Sequence, residues 1–379
     1  MADLPNDKLA TRPGDSPAAH YDLVIIGAGQ AGLALSFQLR ESGLRFLLVD
    51  AGDEVGHSWA SRWESLRLFT PARYCALPGT PFPAPPDTYP GKDEVAAYLA
   101  DYAARHDLPV LMGTRVDRIA PDAAGGYVLD AAAVRLHARQ VVLASGPFHV
   151  PHIPSVADGL AAEVKQLHSS EYRGPGDLPP GRVLVVGGGN SGYQIAAELT
   201  ASHQVGLALG TRNASVPQRP LGRDIFWWQS ITRLITIRSD SRLGRWMRHG
   251  EGTVIGVSPK QLRTLGVVFH PRAVAAAGRT VRFADDTSLD VDAVVWATGF
   301  DNDHSWVHVP AAKDSADRLL HRRGVTPAPG LYVLGLPWLH TTGSALLGFV
   351  TDDAEYLAHQ ITSHAHHVPT QPLKHKLCQ

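Results

Sequence analysis

The stretch Asp22-Leu-Val-Ile-Ile-Gly27-Ala-Gly29-Gln-Ala-Gly32 indicates the fold of this chain of 379 residues. A short, uninterrupted apolar run of this kind is typical of a strand buried on both faces of a parallel sheet. The three glycines form a turn, and the residues after them carry a helical pattern, followed by a second strand that ends Leu47-Leu48-Val49-Asp50. Strand, glycine turn, helix and strand in this order predict a βαβ unit and an α/β fold.

A second stretch repeats this layout. It reads Arg182-Val-Leu-Val-Val-Gly187-Gly-Gly189-Asn-Ser-Gly192 and leads into a helical run and a strand from Val205 to Leu209. Each copy later reaches another apolar strand that ends in small residues, at Ala144-Ser145-Gly146 and at Ala297-Thr298-Gly299. From Gly27 to Gly146 the first copy spans 119 residues, and from Gly187 to Gly299 the second spans 112. Such matched spacing predicts two homologous nucleotide-binding domains.

Each glycine of these turns meets a steric demand. The first allows the tight turn out of the strand, the second lets the backbone approach a pyrophosphate, and the third lets the helix pack close to the sheet. The pyrophosphate then lies at a helix N-terminus, where free N–H groups and the helix dipole attract an anion. The sequence therefore predicts two dinucleotide sites, one at each turn.

The residues that close the second strands distinguish the two ligands. Asp50 follows Gly27 by 23 residues, which suits a carboxylate that accepts hydrogen bonds from a ribose 2′-hydroxyl and would repel a 2′-phosphate. The first site is therefore expected to hold FAD or NAD. The second site offers Arg212 in place of an acid, and a charge-assisted contact to a 2′-phosphate is worth about 1.5–3 kcal/mol. This favours NADPH over NADH at the second site, with a solvated loop arginine as the alternative.

The order of these signals predicts an inserted domain. After the second copy, the chain returns to a strand from Gly330 to Gly335 and a helix around Thr351 to Ile361, which we expect to rejoin the first domain. The predicted fold class is α/β with two Rossmann-like dinucleotide-binding domains, the NADPH domain inserted in the FAD domain. The predicted units are a disordered extension at 1–20, an FAD-binding domain at 21–150 and 295–379, and an NADPH-binding domain at 151–294.

Composition argues against several other classes. The formal net charge is −1, with acidic and basic residues interspersed, so no nucleic-acid partner is expected. Only two cysteines occur, Cys75 and Cys378, which fits a reducing cytoplasm and argues against a thiol relay. The apolar stretch from Leu331 to Val350 is interrupted by polar residues, Gly and Pro, so no membrane span is expected. No metal site is expected, because no cysteine or carboxylate cluster joins the C-terminal histidines His364, His366 and His367.

Five segments resemble the flavin-containing monooxygenase superfamily, in particular its short bacterial members and the YUCCA-type indole-3-pyruvate monooxygenases. The resemblance runs from about Tyr21 to the helix near His359. The segments that carry it are Gly27-Ala-Gly29-Gln-Ala-Gly32, Gly56-His-Ser-Trp59 with Arg62-Trp63-Glu-Ser-Leu-Arg67-Leu68, Gly187-Gly-Gly189-Asn190-Ser191-Gly192, Trp296-Ala-Thr-Gly-Phe300 and Gly343-Ser344-Ala-Leu-Leu-Gly348.

The resemblance implies a reaction and its site. NADPH reduces FAD, oxygen adds at flavin C4a, and retained NADP⁺ shields the hydroperoxide until a small organic substrate takes the distal oxygen at nitrogen, sulfur or an activated carbonyl carbon. The implied partners are that substrate and O2. Catalytic roles are expected for Thr70 and Asn190. The residues expected to contact the cofactors are Gly27, Gly29, Gln30, Ala31, Gly32, Asp50, Ala51, Trp59, Arg67, Leu68, Thr70, Val116, Ala144, Ser145, Gly146 and Leu347 in the first site, and Gly187, Gly189, Asn190, Ser191, Gly192, Arg212, Ala297, Thr298 and Gly299 in the second.

The chain departs from the superfamily's pattern in three places. The Phe-x-Gly-x-x-x-His signature would end at His168, but Ala162 and Val164 hold its Phe and Gly positions. Tyr172 replaces the Trp expected of Baeyer–Villiger enzymes, which disfavours that activity. Where many members carry an Asn beside the flavin, this chain has Phe69-Thr70-Pro71, so a hydrogen bond from the Thr70 hydroxyl to the peroxide is an open question.

The sequence leaves several alternatives open. One is an NADPH-dependent reductase that passes electrons through FAD to an organic acceptor without inserting oxygen, and another is a flavin-binding sensor without turnover. A homodimer is also open. The helical segment from Arg223 to His249 carries Trp227, Trp228 and Trp246 beside several arginines. We expect it to pack on the second domain, with contact to a membrane surface or a partner as the alternative.

Overall fold

The computed structural model describes residues 20–132, 134–210, 213–249 and 253–367. Its strands are β1 (His20–Ile26), β2 (Phe46–Val49), β3 (Val110–Leu111), β4 (Val116–Pro121), β5 (Tyr127–Ala131), β6 (Val134–Leu143), β7 (Val150–Pro151), β8 (Lys165–His168), β9 (Arg182–Val186), β10 (Gln204–Ala208), β11 (Ala214–Val216), β12 (Thr253–Ile255), β13 (Val268–His270), β14 (Ala273–Ala277), β15 (Thr280–Phe283), β16 (Ser288–Asp290), β17 (Ala293–Trp296), β18 (Phe300–Asp301) and β19 (Leu331–Val333). Its helices are α1 (Gln30–Leu39), α2 (His57–Ala60), α3 (Lys92–Arg105), α4 (Asn190–Leu199), α5 (Ile225–Ile231), α6 (Arg242–His249), α7 (Pro259–Thr264) and α8 (Thr351–His367).

The first sheet is centred on the strand of the first glycine stretch. Its order is β3-β2-β1-β6-β5-β4, and β19 also pairs with β6. The strands β1, β2, β3, β6 and β19 are parallel, while β4 and β5 continue the sheet in antiparallel fashion. Leu23, Val24 and Ile25 of β1 are fully buried, as expected for a strand covered on both faces. The C-terminal helix α8 packs against α1, so the end of the described chain belongs to this first unit.

The second sheet is built on the second glycine stretch. Its order is β13-β10-β9-β17-β8, and all of its pairings are parallel. The boundary predicted between 294 and 295 falls inside β17 (Ala293–Trp296). Because the whole of β17 belongs to the second sheet, the chain leaves that sheet only after Trp296. All four residues of β17 pair with β9, and β6 occupies the corresponding position beside β1 in the first sheet. The predicted α/β class with one dinucleotide-binding unit inserted in the other is confirmed.

The two connections between the sheets pair with each other. The strands β7 and β18 are antiparallel, with Phe300 opposite Pro151 and Asp301 opposite Val150. The backbone N–H of His152 adds a hydrogen bond of 3.0 Å to the carbonyl of Gly299. The point where the chain leaves the first unit is therefore fixed beside the point where it returns.

The segment from Arg223 to His249 packs on the first unit, so the prediction that it packs on the second was wrong. Phe226 of α5 is 1% exposed, and its ring centroid lies 6.0 Å from that of Phe69 and 6.3 Å from that of Phe349. The hydroxyl of Thr342 donates to the carbonyls of residues 234 and 235 at 2.8 and 2.6 Å. Phe226 is therefore buried by aromatic rings from loops of the first unit, whereas Leu243 and Trp246 of the same segment are exposed.

Two further expectations concern the ends and surface of the chain. Residues 1–19 of the predicted extension lie outside the described residues, whereas His20 begins β1. Trp246 on α6 is 73% exposed. Among the described residues, no helix has both the length and the apolar character that crossing a bilayer requires.

Candidate functional site

The first glycine turn joins β1 to α1. Gly27 has a φ of 110°, which L residues rarely adopt, and a Cβ there would overlap the carbonyl of Ala144. A Cβ at Gly32 would overlap the carbonyl of Gly27, so this glycine lets α1 begin close against the strand. A Cβ at Gly29 would meet no atom within 4 Å. The turn therefore leaves open space beside its middle glycine, where a pyrophosphate needs room to approach the backbone.

The second glycine turn, between β9 and α4, has the same steric pattern. Gly187 has a φ of 139°, and a Cβ there would overlap the carbonyl of Ala297. A Cβ at Gly192 would overlap the carbonyl of Gly187, while one at Gly189 would meet no atom within 4 Å. Both turns thus fit a dinucleotide in the same manner, as the repeated sequence pattern predicts.

The side chain of Asp50 lies at the first glycine turn. Its Oδ2 accepts a hydrogen bond of 2.7 Å from the backbone N–H of Ala28, and its Oδ1 accepts one of 2.8 Å from Gly52. The backbone carbonyl of Asp50 accepts a bond of 2.7 Å from Thr114, which brings the segment leading to Val116 beside the exposed residue 51. A carboxylate at this point fits recognition of a ribose whose pyrophosphate lies on the turn.

Gln30, the first residue of α1, connects distant parts of the predicted flavin site. Its Oε1 accepts a hydrogen bond of 3.2 Å from the indole Nε1 of Trp59, and its Nε2 donates one of 3.0 Å to the carbonyl of Ala345. Thr70 and Leu347 are buried, with 3% and 4% of their surface exposed. The predicted residues at 30 and 59 are therefore in direct contact, and the segment around 345 joins them.

The predicted flavin-side segment at 67–70 is held by the second unit. Gln194 of α4 donates through Nε2 to the carbonyl of Arg67 at 3.3 Å, and Gln218 donates to the carbonyl of Phe69 at 2.8 Å. Between them, the N–H of Leu68 donates to the carbonyl of Pro90 at 2.9 Å. The segment between the two predicted cofactor sites is thus positioned by residues from both units.

The small residues that follow β6 and β17 occupy corresponding positions. Ala144 donates its N–H to the carbonyl of Ile26, and Ala297 donates to that of Val186, each at 2.8 Å. Both alanines therefore lie against the strand that leads into a glycine turn. After them, the carbonyl of Ser145 is bonded by His149 Nε2 at 3.0 Å, beside Gly146, and the hydroxyl of Thr298 donates to the carbonyl of residue 152.

Asn190 makes a structural contact at the second turn. Its Oδ1 accepts a hydrogen bond of 2.9 Å from the backbone N–H of Ile255, beside half-buried Ser191. Asn213 donates through Nδ2 to the carbonyl of Gly188 at 2.7 Å. Arg212 lies outside the described residues. The catalytic roles predicted for Thr70 and Asn190 stay predictions, as does the phosphate contact of Arg212.

His168, the residue of the superfamily signature that this chain retains, is fully buried at the end of β8. Its Nε2 lies 2.9 Å from the carbonyl of Gly299 and its Nδ1 lies 2.8 Å from the Ser170 hydroxyl. Because a carbonyl only accepts, Nε2 carries the proton. Burial lowers the pKa of His168, which favours this neutral form. Tyr172 is also buried and donates to Glu198 Oε2 at 2.9 Å.

Two residues at the second site, Asn213 and Arg272, were not predicted from the sequence. Asn213 directly follows Arg212, so its position near the strand end was the signal that could have singled it out. Arg272 follows β13, whose carboxyl end meets that of β10 at the same edge of the sheet. Its Nη2 donates to the carbonyl of Gly210 at 3.3 Å. Since β13 had not been predicted as a neighbour of β10, only the structure brings Arg272 to this edge.

The part of the chain that the structure describes offers little to metal or thiol chemistry. Within it, no group of three or more His, Cys, Asp or Glu side chains could hold a metal ion. Cys75 is fully buried, and burial raises the pKa of its thiol to about 12. A thiol in this state is a poor nucleophile at neutral pH.

The comparison with protein families identifies the class. Residues 24–220 match the family described as pyridine nucleotide-disulphide oxidoreductase, and this range is more than half of the chain. The chain belongs to this family of oxidoreductases.

Curated relatives match along nearly the whole chain. A CzcO-like oxidoreductase of Geobacillus kaustophilus, described as uncharacterized, is 39% identical over 352 residues, covering 90% of this chain and 99% of the relative. The indole-3-pyruvate monooxygenase YUCCA1 of rice (Oryza sativa subsp. japonica) is 29% identical over 377 residues, covering 87% of this chain and 88% of the relative.

A solved structure supports the same class. The flavin-containing monooxygenase of Stenotrophomonas maltophilia aligns with a TM-score of 0.75 and 29% identity, covering 91% of this chain and 99% of that one. The predicted membership of the flavin-containing monooxygenase superfamily is confirmed, and the chain is an oxidoreductase of the flavin monooxygenase type.

Proposed function

We propose that the chain is an FAD- and NADPH-dependent monooxygenase that oxygenates a small organic molecule at nitrogen, sulfur or an activated carbonyl carbon. The observation that carries the proposal is the pair of glycine turns, which share one steric pattern but differ in the residues beside them. Asp50 lies at the first turn, and arginines follow the strands at the second. From this difference we infer FAD at the first site and NADPH at the second, so that electrons pass from NADPH to FAD.

FAD fits the first site. The open space beside Gly29 accommodates its pyrophosphate, and the Asp50 carboxylate suits an unphosphorylated ribose. The contact between Gln30 and Trp59 then lies beyond the first turn of α1, toward the predicted flavin ring. Bound FAD would accept electrons from NADPH and activate O2, while the chain orients the ring and shields it from water.

NADPH fits the second site. Arg272 lies at the edge of the sheet where the parallel strands β10 and β13 end. Its guanidinium donates a hydrogen bond to the carbonyl of Gly210. Arg212 follows Gly210 by two residues and adds a second positive charge to this loop in the sequence. A 2′-phosphate would gain charge-assisted hydrogen bonds from these groups, whereas the 2′-hydroxyl of NADH would gain less.

Contacts between the units support hydride transfer from one cofactor to the other. Gln194 and Gln218, from the proposed NADPH unit, hold the carbonyls of Arg67 and Phe69 beside the proposed flavin ring. A nicotinamide that extends from Gly189 toward this segment would approach the flavin across these contacts. The proposed FAD unit thus comprises residues 21–150 with the chain after Trp296, and the NADPH unit comprises the residues between them.

The state of Cys75 argues against a dithiol route. A disulfide reductase passes electrons through a reactive cysteine pair, but Cys75 is buried with its pKa raised to about 12. This state of Cys75 disfavours a disulfide reductase and is compatible with the proposed transfer of flavin electrons to oxygen.

Isotope labelling tests the proposed reaction. The FAD-loaded protein is supplied with NADPH and ¹⁸O2 together with a methyl aryl sulfide, a tertiary amine and a cyclic ketone in separate reactions. The proposal predicts one ¹⁸O atom in the product of at least one of them. If NADPH is consumed and hydrogen peroxide is the only oxygen product with all three, oxygen transfer is contradicted.

A further inference from the structure

A cleft lined by arginines lies outside both glycine turns. It has a volume of about 540 Å³. It is bordered by the segment from Arg223 to His249, called the inserted segment below, by the loops at 321–323 and 338–340, and by α8. We call it the cationic cleft, after its lining arginines Arg238, Arg248, Arg322 and Arg323, which outnumber its one lining carboxylate, Asp240. Its volume lies in the range of small-molecule sites.

Among the described residues, the arginines that line the cationic cleft are only partly neutralised by carboxylates. Arg238 is neutralised by Asp240, whose two carboxylate oxygens accept bonds of 2.9 and 2.6 Å. Arg248 and Arg322 form no ion pair with any carboxylate of the described residues. Arginines gathered in one cleft repel each other, so an anion bound between them would stabilise the arrangement.

Arg323 is incompletely satisfied. Its Nε lies 3.6 Å from Asp353 Oδ1, which is too long for a hydrogen bond, and both atoms are buried without another partner. Asp353 is only 2% exposed, and burial raises the pKa of its carboxyl. The buried ion pair of Arg323 and Asp353 therefore lacks a close hydrogen bond, and Arg323 Nη2 donates instead to the carbonyl of Asp352 at 3.3 Å.

Two residues that line the cleft have a strained backbone conformation. Arg323 has a φ of 49° and Trp338 a φ of 58°, in the left-handed region that bulky residues avoid. The guanidinium of Arg323 lies 4.1 Å from the ring centroid of Tyr356, which fixes its direction. Strained residues held by their surroundings cluster at binding sites, and here one of them carries a guanidinium and the other an indole ring, both lining the cleft.

We propose that the cationic cleft binds an organic oxyanion, with a carboxylate or phosphate group held by Arg248 and Arg322 and a flat apolar body against Trp338. Arginine suits this role because its planar group bonds either oxyanion through two parallel N–H groups. Arg248 belongs to the inserted segment and Arg322 to the first unit, so the bound anion joins these two parts of the chain.

The cationic cleft is connected to the proposed flavin site. The backbone N–H groups of His340 and Thr341 donate to the Ser344 hydroxyl at 3.1 and 2.9 Å. The next residue, Ala345, accepts the hydrogen bond from Gln30. Occupation of the cleft is thus expected to change the visible spectrum of bound FAD, a second readout that rests on the proposed function.

Equilibrium dialysis tests the proposal directly. The full-length protein, with saturating FAD and NADP⁺ added, is dialysed against radiolabelled phenylacetate or pyrophosphate. The probes are compared in the unchanged protein, in the double variant Arg248→Gln/Arg322→Gln and in Arg242→Gln, which alters an exposed arginine of α6 outside the cleft. Thermal unfolding of all three proteins shows whether the variants remain folded.

We expect one equivalent of at least one probe to bind, with affinity at least about tenfold weaker in the double variant and unchanged in Arg242→Gln. Stronger binding of phenylacetate assigns a carboxylate ligand, and stronger binding of pyrophosphate assigns a phosphate ligand. If neither probe binds saturably, or if the folded double variant binds as well as the unchanged protein, the proposal is overturned. This result does not depend on oxygen transfer, so it fails separately from the proposed function.

Discussion

The carboxylate of Asp50 accepts a hydrogen bond of 2.7 Å from the backbone N–H of Ala28, although 22 residues separate them in the chain. The bond brings an acid from the end of β2 onto the turn between β1 and α1. In the proposed function, a negative charge at this point favours a dinucleotide without a 2′-phosphate and distinguishes the first site from the second.

Replacing this acid tests the FAD assignment. Asp50→Ala removes a charged hydrogen-bond acceptor worth about 1.5–3 kcal/mol, so the dissociation constant of FAD should rise roughly ten- to a hundredfold. Fluorescence titration of the FAD-free protein measures it. Asp53→Ala, at an exposed position in the same loop, is the control and should bind FAD normally. Equal FAD affinity in Asp50→Ala and the control would contradict the assignment.

The glycines of the first turn should separate ligand binding from folding. Gly29→Ala adds a methyl group in open space, so the free energy of unfolding of the FAD-free protein should change by less than about 1 kcal/mol. FAD affinity should nevertheless fall, because the methyl group occupies the space proposed for the pyrophosphate. Gly32→Ala meets the carbonyl of Gly27 and should lower the free energy of unfolding by about 2 kcal/mol or more. Chemical denaturation and FAD titration together measure both effects, and unchanged FAD affinity in Gly29→Ala would refute the site.

Cofactor preference should depend on the arginines of the second site. In Arg272→Ala and Arg212→Ala, kcat/KM should fall more for NADPH than for NADH, because only NADPH loses a phosphate contact. Each replacement should reduce the NADPH preference by roughly tenfold or more. Arg282→Ala, an exposed arginine of β15 in the same unit, is the matched control. Losses of equal size with both cofactors would show that these arginines do not bind the phosphate.

Stability should fall in mild acid. Burial lowers the pKa of His168 below its usual 6.5, so the unfolded chain takes up a proton at a pH where the folded chain does not. The free energy of unfolding therefore decreases as the pH falls through about 6.5, and several other histidines with lowered pKa values act in the same direction. Denaturation between about pH 7 and 5 measures the slope. His168→Gln should reduce the slope; identical slopes for His168→Gln and the unchanged protein would contradict this.

Short-range steric demands made the two turns predictable from sequence. Gly27 and Gly187 must adopt a positive φ beside a carbonyl, and only glycine does so without strain. Asp50 was predictable as well, because the length of a βα unit fixes where its second strand ends. The fold class followed from these local patterns.

Long-range contacts were not predictable in this way. Gln30 and Ala345 are 315 residues apart, and Gln218 and Phe69 are 149 apart, so no local pattern records either hydrogen bond. The inserted segment shows the same limit. Its pattern indicates helices that pack on the protein, but it does not say which unit they pack on.

The fate of the reduced flavin tests the central claim most directly. The FAD-loaded protein is reduced anaerobically with NADPH and then mixed rapidly with O2 in the presence of NADP⁺ while its absorbance spectrum is recorded. A monooxygenase should show a spectrum distinct from both reduced and oxidised flavin, which persists until an oxygen acceptor is added. Direct return to the oxidised spectrum, with hydrogen peroxide released at the same rate, would contradict the account and favour an oxygen-independent reductase.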